Sequence, residues 1–348
     1  MKPVAVILTD THKNKDNLNL VEDIFRQAVL LSVELGCRRI FHAGDWFTNR
    51  IGQNLSTLLS MKRVLEHAEE NGVMIHGIPG NHDKTDQDAE ASYLDVFSQF
   101  GVLQLFSSQG YEQFGDVCVA FLPYFTASYT DRLEQLEAQV GKKKAKKNIL
   151  ITHKSFNGVR NNDGSIVEDG IAPSRMKFWD KVLVGHYHDA SEVGDNIFYI
   201  GSAYQANYGE NITDKGFTIL YSDGSIKFRE SKFPKYKKVR IDASDATAIE
   251  NELEVHSNSK DHVRFIFVGK KTDLDKITLS RFTDVGIDCK FENEDSSVGL
   301  AELDGDNFTQ FDMKTILKHF LQYCKVQEIP ADKRSVGLKI LKDDYSEI

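Results

Sequence analysis

The stretch Gly77-Ile78-Pro79-Gly80-Asn81-His82-Asp83, "GIPGNHD", follows directly on the apolar run Val73-Met74-Ile75, with almost no polar spacing. Glycine, proline, asparagine and aspartate are the residues with which a chain leaves a buried strand, so a turn is expected here on backbone grounds alone. No turn requires an imidazole between an amide and a carboxylate. Two readings stand: a plain turn, or a strand that ends in a site with Asn81 and His82 aimed at a ligand. The rest of the chain separates them.

Outward from this stretch, the first two hundred residues alternate strand and helix signals. "PVAVILTD" (3–10) is a short apolar run ending in polar residues, and residues 20–35 carry apolar positions at helical spacing up to Gly36. "RRIFHAGD" (38–45) reads as a second strand, 55–70 as an amphipathic helix closed by Asn71-Gly72, and "VMIHGIPGNHD" (73–83) as a third strand. A helix near 89–99 precedes the strand-like runs 101–106 and 117–125. A helix over 131–140, strands within 148–156, 182–190 and 196–204, and a hairpin about Asp223-Gly224 follow. The pattern is α/β passing into a β-rich stretch, a layered sheet structure flanked by helices.

Composition shifts at "SKFPKYKKVRIDAS" (231–244). Beyond it a small α+β pattern is expected: helix 245–255, strand 262–269, helix 273–284 and strand 287–293. The polar stretch 293–307 reads as a linker. Residues 311–325 form a well-patterned amphipathic helix, and a second starts behind Pro330. The expected organisation is a catalytic domain over 1–235, an α+β capping domain over 236–295, and a linker with C-terminal helices over 296–348.

At 348 residues, 41% hydrophobic and 27% charged, the chain has the composition of an ordinary globular protein with ample core. Four scattered cysteines without a CxxC pair indicate free thiols from a reducing compartment, and exclude both a disulfide framework and a cysteine metal site. No run approaches membrane-spanning length, so a soluble, cytoplasmic protein without membrane contact is expected. A net charge of −9 argues against a protein that coats nucleic acid, but not against an enzyme acting on it, because a local cluster or bound cations can reverse the field at a cleft.

Five of the eleven histidines, with three oxygen-bearing side chains, fall at or just after expected strand ends. They are Asp10 and His12 in "LTDTH", Asp45 in "HAGD", Asn81 and His82 in "GNHD", His153 in "LITH", and His186 and His188 in "VGHYH". Singly, each has an ordinary explanation as a helix cap, a turn residue or a core histidine. Together they match the rule that open α/β sheets place ligand sites at the carboxyl ends of their strands. Carboxylates, imidazoles and one amide, without thiolate, suit borderline-hard divalent metals such as manganese, iron or zinc. Asp45 has two oxygens and a central place, so it can bridge two ions, and such a pair clamps a phosphoryl oxygen and activates water. His82, next to the amide ligand, need not coordinate and suits a proton donor to a departing oxygen.

These residues resemble the calcineurin-like metallophosphoesterase superfamily, whose blocks D-x-H, G-D, G-N-H-D/E, H and G-H-x-H all occur here in order over roughly residues 4–190. The resemblance implies a four-layer fold, a β-sandwich flanked by helices. It also implies one metal held by Asp10, His12, Asp45 and His188, a second held by Asp45, Asn81, His153 and His186, and His82 as the catalytic histidine. Two divalent ions are implied, manganese first, with magnesium, iron or zinc as alternatives.

Within the superfamily the chain looks like the SbcD-type nuclease subunits, including those of T-even phage recombination nucleases. The strand, Gly-Ser turn and acidic sequel of "IFYIGSAYQANYGE" (197–210), the "THKSFNG" segment and the α+β cap carry that likeness. It implies a DNA exonuclease or endonuclease in repair and recombination, partnered through its C-terminal helices with an SMC-like, SbcC-type ATPase. It also leaves room for a homodimer. A small-substrate phosphoesterase would use the same site residues, and the apolar face of the tail also suits packing on its own domain. After "GDWF" the chain departs from many relatives, with Thr48-Asn49-Arg50 where they carry a further Asp or His. Arg50 admits both a phosphate contact and an ordinary surface position. The basic runs "GKKKAKKN" (141–148), with Lys142, Lys143 and Lys144, and "PKYKKVR" (234–240) are candidate DNA contacts through salt-sensitive phosphate interactions, or solvated loops.

Overall fold

The computed structural model describes residues 1–294 except 143, 144, 162, 163, 211 and 212, and also Arg334. Strands β1 (Pro3–Leu8), β2 (Arg39–His42), β3 (Met74–Gly77) and β4 (Leu103–Leu105) lie parallel, with α1 (Leu18–Glu34) and α2 (Leu55–Glu70) as the first two crossovers. A second sheet is built from β5 (Gly110–Phe114), β6 (Val117–Leu122), β7 (Lys147–His153), β8 (Lys181–Gly185), β9 (Ser191–Val193) and β10 (Ile197–Tyr199), in the order β5-β6-β7-β8-β10-β9. Helix α3 (Tyr129–Val140) crosses between β6 and β7. The hairpin of β11 (Gly216–Tyr221) and β12 (Ile226–Glu230) returns to the first sheet beside β1, giving the order β12-β11-β1-β2-β3-β4.

The strand sequences dictate this stacking through their period of two. In "VCVAFL", Val117, Val119 and Phe121 join the core between the sheets, while Cys118, Ala120 and Leu122 turn to the cluster containing the α3 residues Leu133 and Leu136. In β1, Ala5 and Ile7 face the second sheet, and Val6 and Leu8 face the α1 and α2 residues Phe25 and Leu65. Buried on both faces, these strands read as continuous apolar runs. Helix, sheet, sheet and helix make four layers, as the resemblance implies.

A third sheet of parallel strands β13 (Tyr236–Asp242), β14 (His262–Gly269) and β15 (Asp288–Asn293) has its own apolar cluster around Phe265, Phe267 and Phe282. Helix α4 (Ala246–His256) joins the first two strands, and the short α5 (Lys271–Leu274) and α6 (Ser280–Thr283) join the last two.

Two expected helices differ. Over 89–99 only a 3-10 turn forms, Tyr93–Phe97, opened by a Ser92–Asp95 capping box; just before it Gln87 donates to Asn81 O and Asp88 accepts the Thr126 and Ala127 amides. Over 273–284 the ladder breaks between α5 and α6, where Lys276 and Ile277 bond back three residues, not four. The strands β5, β9 and β13 went unread: the first is largely exposed, the second has three residues, and the third carries a basic run along a sheet edge. The linker and C-terminal helices expected over 296–348 lie outside the described residues, Arg334 apart.

Fully buried Phe121 stacks on half-buried Phe106 at 4.3 Å and meets fully buried Phe41 edge-on at 5.2 Å in the inter-sheet core. Replacing it with alanine should cost about 3–5 kcal/mol in urea denaturation. A cost below about 1 kcal/mol would contradict this packing.

Candidate metal centre

All seven expected ligand residues converge where parallel strands of the two sheets end. Asp10 and His12 follow β1, Asp45 follows β2, Asn81 follows β3, His153 ends β7, and His186 and His188 follow β8. The backbone is bent to present them. Asp10, His12, Asp45 and His186 take φ values of 52°, 41°, 55° and 98°, a left-handed conformation that costs a non-glycine residue on the order of 1–3 kcal/mol. The loops after β1 and β2 brace each other: Asp10 N–H donates to Gly44 O at 3.0 Å, His12 N–H to Asp45 O at 3.1 Å and Lys13 N–H to Trp46 O at 2.7 Å. Close approach here requires glycine. A Cβ on Gly44 would strike the His153 ring, and one on Gly80 would strike the Asp45 carboxylate.

One oxygen lies at the centre. Asp45 Oδ2 is 3.7 Å from His12 Nε2 and 3.3 Å from His153 Nε2, so it faces both groups of ligands. On one side His12 Nε2 lies 3.1 Å from His188 Nε2 and 3.8 Å from Asp10 Oδ1. On the other, Asn81 Oδ1 lies 3.1 Å from both His153 Nε2 and His186 Nδ1. Asp10, His12 and His188 form one cluster able to hold an ion, and Asp45, His153 and His186 form another.

The outer ring nitrogens fix what the inner ones offer. His153 Nδ1 donates to Ala43 O at 2.8 Å and His188 Nδ1 to Glu210 Oε1 at 2.7 Å, which leaves both Nε2 atoms facing other electron-rich atoms. Acceptors packed this closely require positive charge among them, either a proton or a metal cation. Burial opposes charge on His153, yet the Asp45 and Asp10 carboxylates outweigh it and push its pKa up to about 9. Burial drives His12 and His186 down to about 3, which keeps them in the neutral, metal-ligating form. Burial also opposes the charge of Asp45, but His153 and His12 hold it well below the usual carboxylate range. The donor set therefore fits two divalent cations sharing Asp45.

His82 stands beside the cluster. Its backbone N–H donates to Asp45 Oδ1 at 2.8 Å, its Nδ1 to Thr48 O at 2.6 Å, and its Nε2 receives Arg50 Nη2 at 3.0 Å. Arg50 is exposed and lines the same cleft.

Of the run 234–240, Tyr236 lines this cleft, while the basic side chains described in both runs pair mostly with acids. Lys142 lies between α3 and β7, and β7 runs about 20 Å from Lys147 to His153 at the usual rise per residue. Lys146 and Lys147 pair with Asp116 and Asp180, and Lys235, Lys237 and Arg240 with Glu230, Asp261 and Glu292. Lys143 and Lys144 lie outside the described residues.

Two carboxylates escaped the sequence reading. Glu210 orients His188 and also accepts Ala206 N–H at 3.0 Å; its only trace was an acidic residue after a Gly-Ser turn. Asp83, the last letter of "GNHD", is fully buried and accepts N–H bonds from Trp46, Phe47 and Gly80, which bolts the Asp45 loop to the Asn81 loop. Burial, with the nearby Asp45 charge, pushes its pKa up to about 7.

A fold of two stacked sheets between helices, with this ligand cluster at the strand ends, defines a dimetal phosphoesterase. The calcineurin-like phosphoesterase family matches residues 4–190, and the chain belongs to it. It is 23% identical over 287 residues to exonuclease subunit 1 of Enterobacteria phage T4, covering 79% of this chain and 80% of that protein. Among solved structures it is similar to a dimetal phosphatase from Danio rerio, at 11% identity and a TM-score of 0.43, covering 63% of this chain and 93% of the other. A calcineurin-like phosphoesterase from Bacillus subtilis aligns at 12% identity and a TM-score of 0.39, covering 66% and 89%. Among the described residues no helix is long and apolar enough to cross a membrane.

Adding Mn²⁺ at a hundredfold excess over its Kd should stabilise the fold by about 2.7 kcal/mol, seen as a rise in Tm that EDTA reverses. Glu210→Gln should weaken Mn²⁺ binding about 10–100-fold in calorimetric titration. Wild-type affinity in that variant would remove Glu210 from the site.

Proposed function

We propose that the protein is a two-metal DNA nuclease, the nuclease subunit of a complex with an SMC-like ATPase in DNA repair and recombination. The observation that carries this reading is the match to the T4 exonuclease subunit, which is longer than the family match and covers most of both chains. It extends past the site residues that every phosphoesterase of this kind needs. On this reading residues 236–295 act as a capping domain, and the C-terminal helices within 296–348 grip the partner.

Two divalent cations held there, manganese in our proposal, would supply Lewis acidity toward the phosphoryl oxygens and lower the pKa of bound water. The protein's own groups do the rest. Asp10, His12, Asp45, Asn81, His153, His186 and His188 form the cradle, and Asp45 spans its two halves. His82 keeps Nδ1–H on the Thr48 carbonyl, so Nε2 faces the cleft and can carry a proton to the leaving oxygen. Arg50, donating to that nitrogen in the free protein, is placed to take a phosphate oxygen when substrate arrives.

His82→Ser should lower cleavage of linear DNA in Mn²⁺ by about 10²–10⁴-fold while metal content stays at the parental level. Parental rates in that variant would take His82 out of the mechanism. Hydrolysis of p-nitrophenyl esters but never of linear or hairpin DNA, with or without an ATPase partner, would replace the nuclease reading with a small-substrate phosphoesterase.

A further inference from the structure

The cleft is larger than its metal-ligand cluster needs. It encloses about 510 Å³ and runs from Asn81 and His186 past Gln205 to Tyr236, the first residue of β13 in the third sheet. Tyr236 belongs to an aromatic group. The His262 ring stacks on it at 4.4 Å with an interplanar angle of 21°, and Tyr208 meets it edge-on at 4.9 Å. The Arg264 guanidinium lies 4.0 Å from the Tyr208 ring centre and is fixed by an ion pair with Asp288 at 2.6 Å.

This group is tied to the catalytic end by a short relay. Tyr236 N–H donates to Gln205 Oε1 at 2.8 Å, Gln205 Nε2 to Glu210 O at 3.1 Å, and Glu210 Oε1 holds His188. Tyr236, the member of this group that lines the cleft, and the metal-ligand cluster are thus held in one frame. A metal cradle orients phosphate and has no use for an aromatic wall. A nucleobase has a π-face that meets such a wall whatever its identity.

We propose that the Tyr236 end of the cleft, backed by Tyr208 and His262, is a subsite for the unpaired base of the nucleotide whose phosphate lies at the metal cluster. The subsite rests on the phosphodiesterase reading and narrows it, because it selects nucleotidyl esters with a base free of its partner. It is indifferent to sequence. Packing on His262 holds the Tyr236 ring in place before substrate arrives, so little side-chain freedom remains to be lost on binding.

The test compares thymidine 5′-(p-nitrophenyl) phosphate with methyl p-nitrophenyl phosphate, in Mn²⁺, using the full chain. Both esters release the same phenolate, so the ratio of their kcat/KM values isolates the nucleoside, and it does not depend on the fraction of folded protein. The parent should favour the nucleoside ester. Tyr236→Ala should reduce that preference about 10–100-fold, chiefly through KM, whereas Tyr236→Phe and Tyr236→Trp should keep it. An unchanged ratio in Tyr236→Ala, or a parent with no preference, overturns the subsite. A parent that cleaves DNA and yet gives either result leaves the nuclease reading standing without it.

Discussion

A single buried carboxylate oxygen organises the functional half of this molecule. Asp45 Oδ2 faces imidazole nitrogens on both sides, and Oδ1 is held by the His82 amide. So many electron-rich atoms repel one another unless positive charge lies among them. The protein nevertheless forces them together, with left-handed backbone at four ligand positions and with glycines at 44 and 80. Strain of this kind persists only where the surrounding structure over-determines it.

The surroundings do so in two layers. The sandwich brings the carboxyl ends of β1, β2 and β3 against those of β7 and β8, so residues as far apart as Asp10 and His186 meet: the His186 N–H donates to Asp10 Oδ2 at 3.0 Å. Around the ligands, groups that touch no reacting atom set their aim. Asp83 gathers three amides from two loops, Glu210 fixes the tautomer of His188, and Ala43 O does the same for His153. Losing such an outer contact typically costs about 10–100-fold in metal affinity.

Much of this was legible in the sequence because it rests on local rules. The candidate ligands were visible because each lies where an apolar strand stops, and the sandwich because strands buried on both faces read as unbroken apolar runs. What escaped depends on distance or on edges. Glu210 meets His188 only after the chain has turned through β9 and β10, and nothing in its neighbourhood announces a histidine partner. β13 was hidden by its lysines, which a sheet edge tolerates because their charges stay in solvent or pair with acids. The basic run at 141–148 shows the converse. Its composition admits DNA contact or a solvated loop, and the two lysines at the start of β7, Lys146 and Lys147, pair with Asp116 and Asp180.

On the proposed reading, the enzyme grips a phosphodiester at the metal-ligand end of the cleft and its base at the Tyr236 end. Everything chemical in that picture requires two cations astride Asp45. Anomalous diffraction from crystals grown in Mn²⁺ tests this most directly. Two peaks about 3.5–4 Å apart are expected, with the Asp45 carboxylate between them, Asp10 and His188 on one and Asn81 and His186 on the other. A single peak, or a pair that Asp45 does not touch, would contradict it.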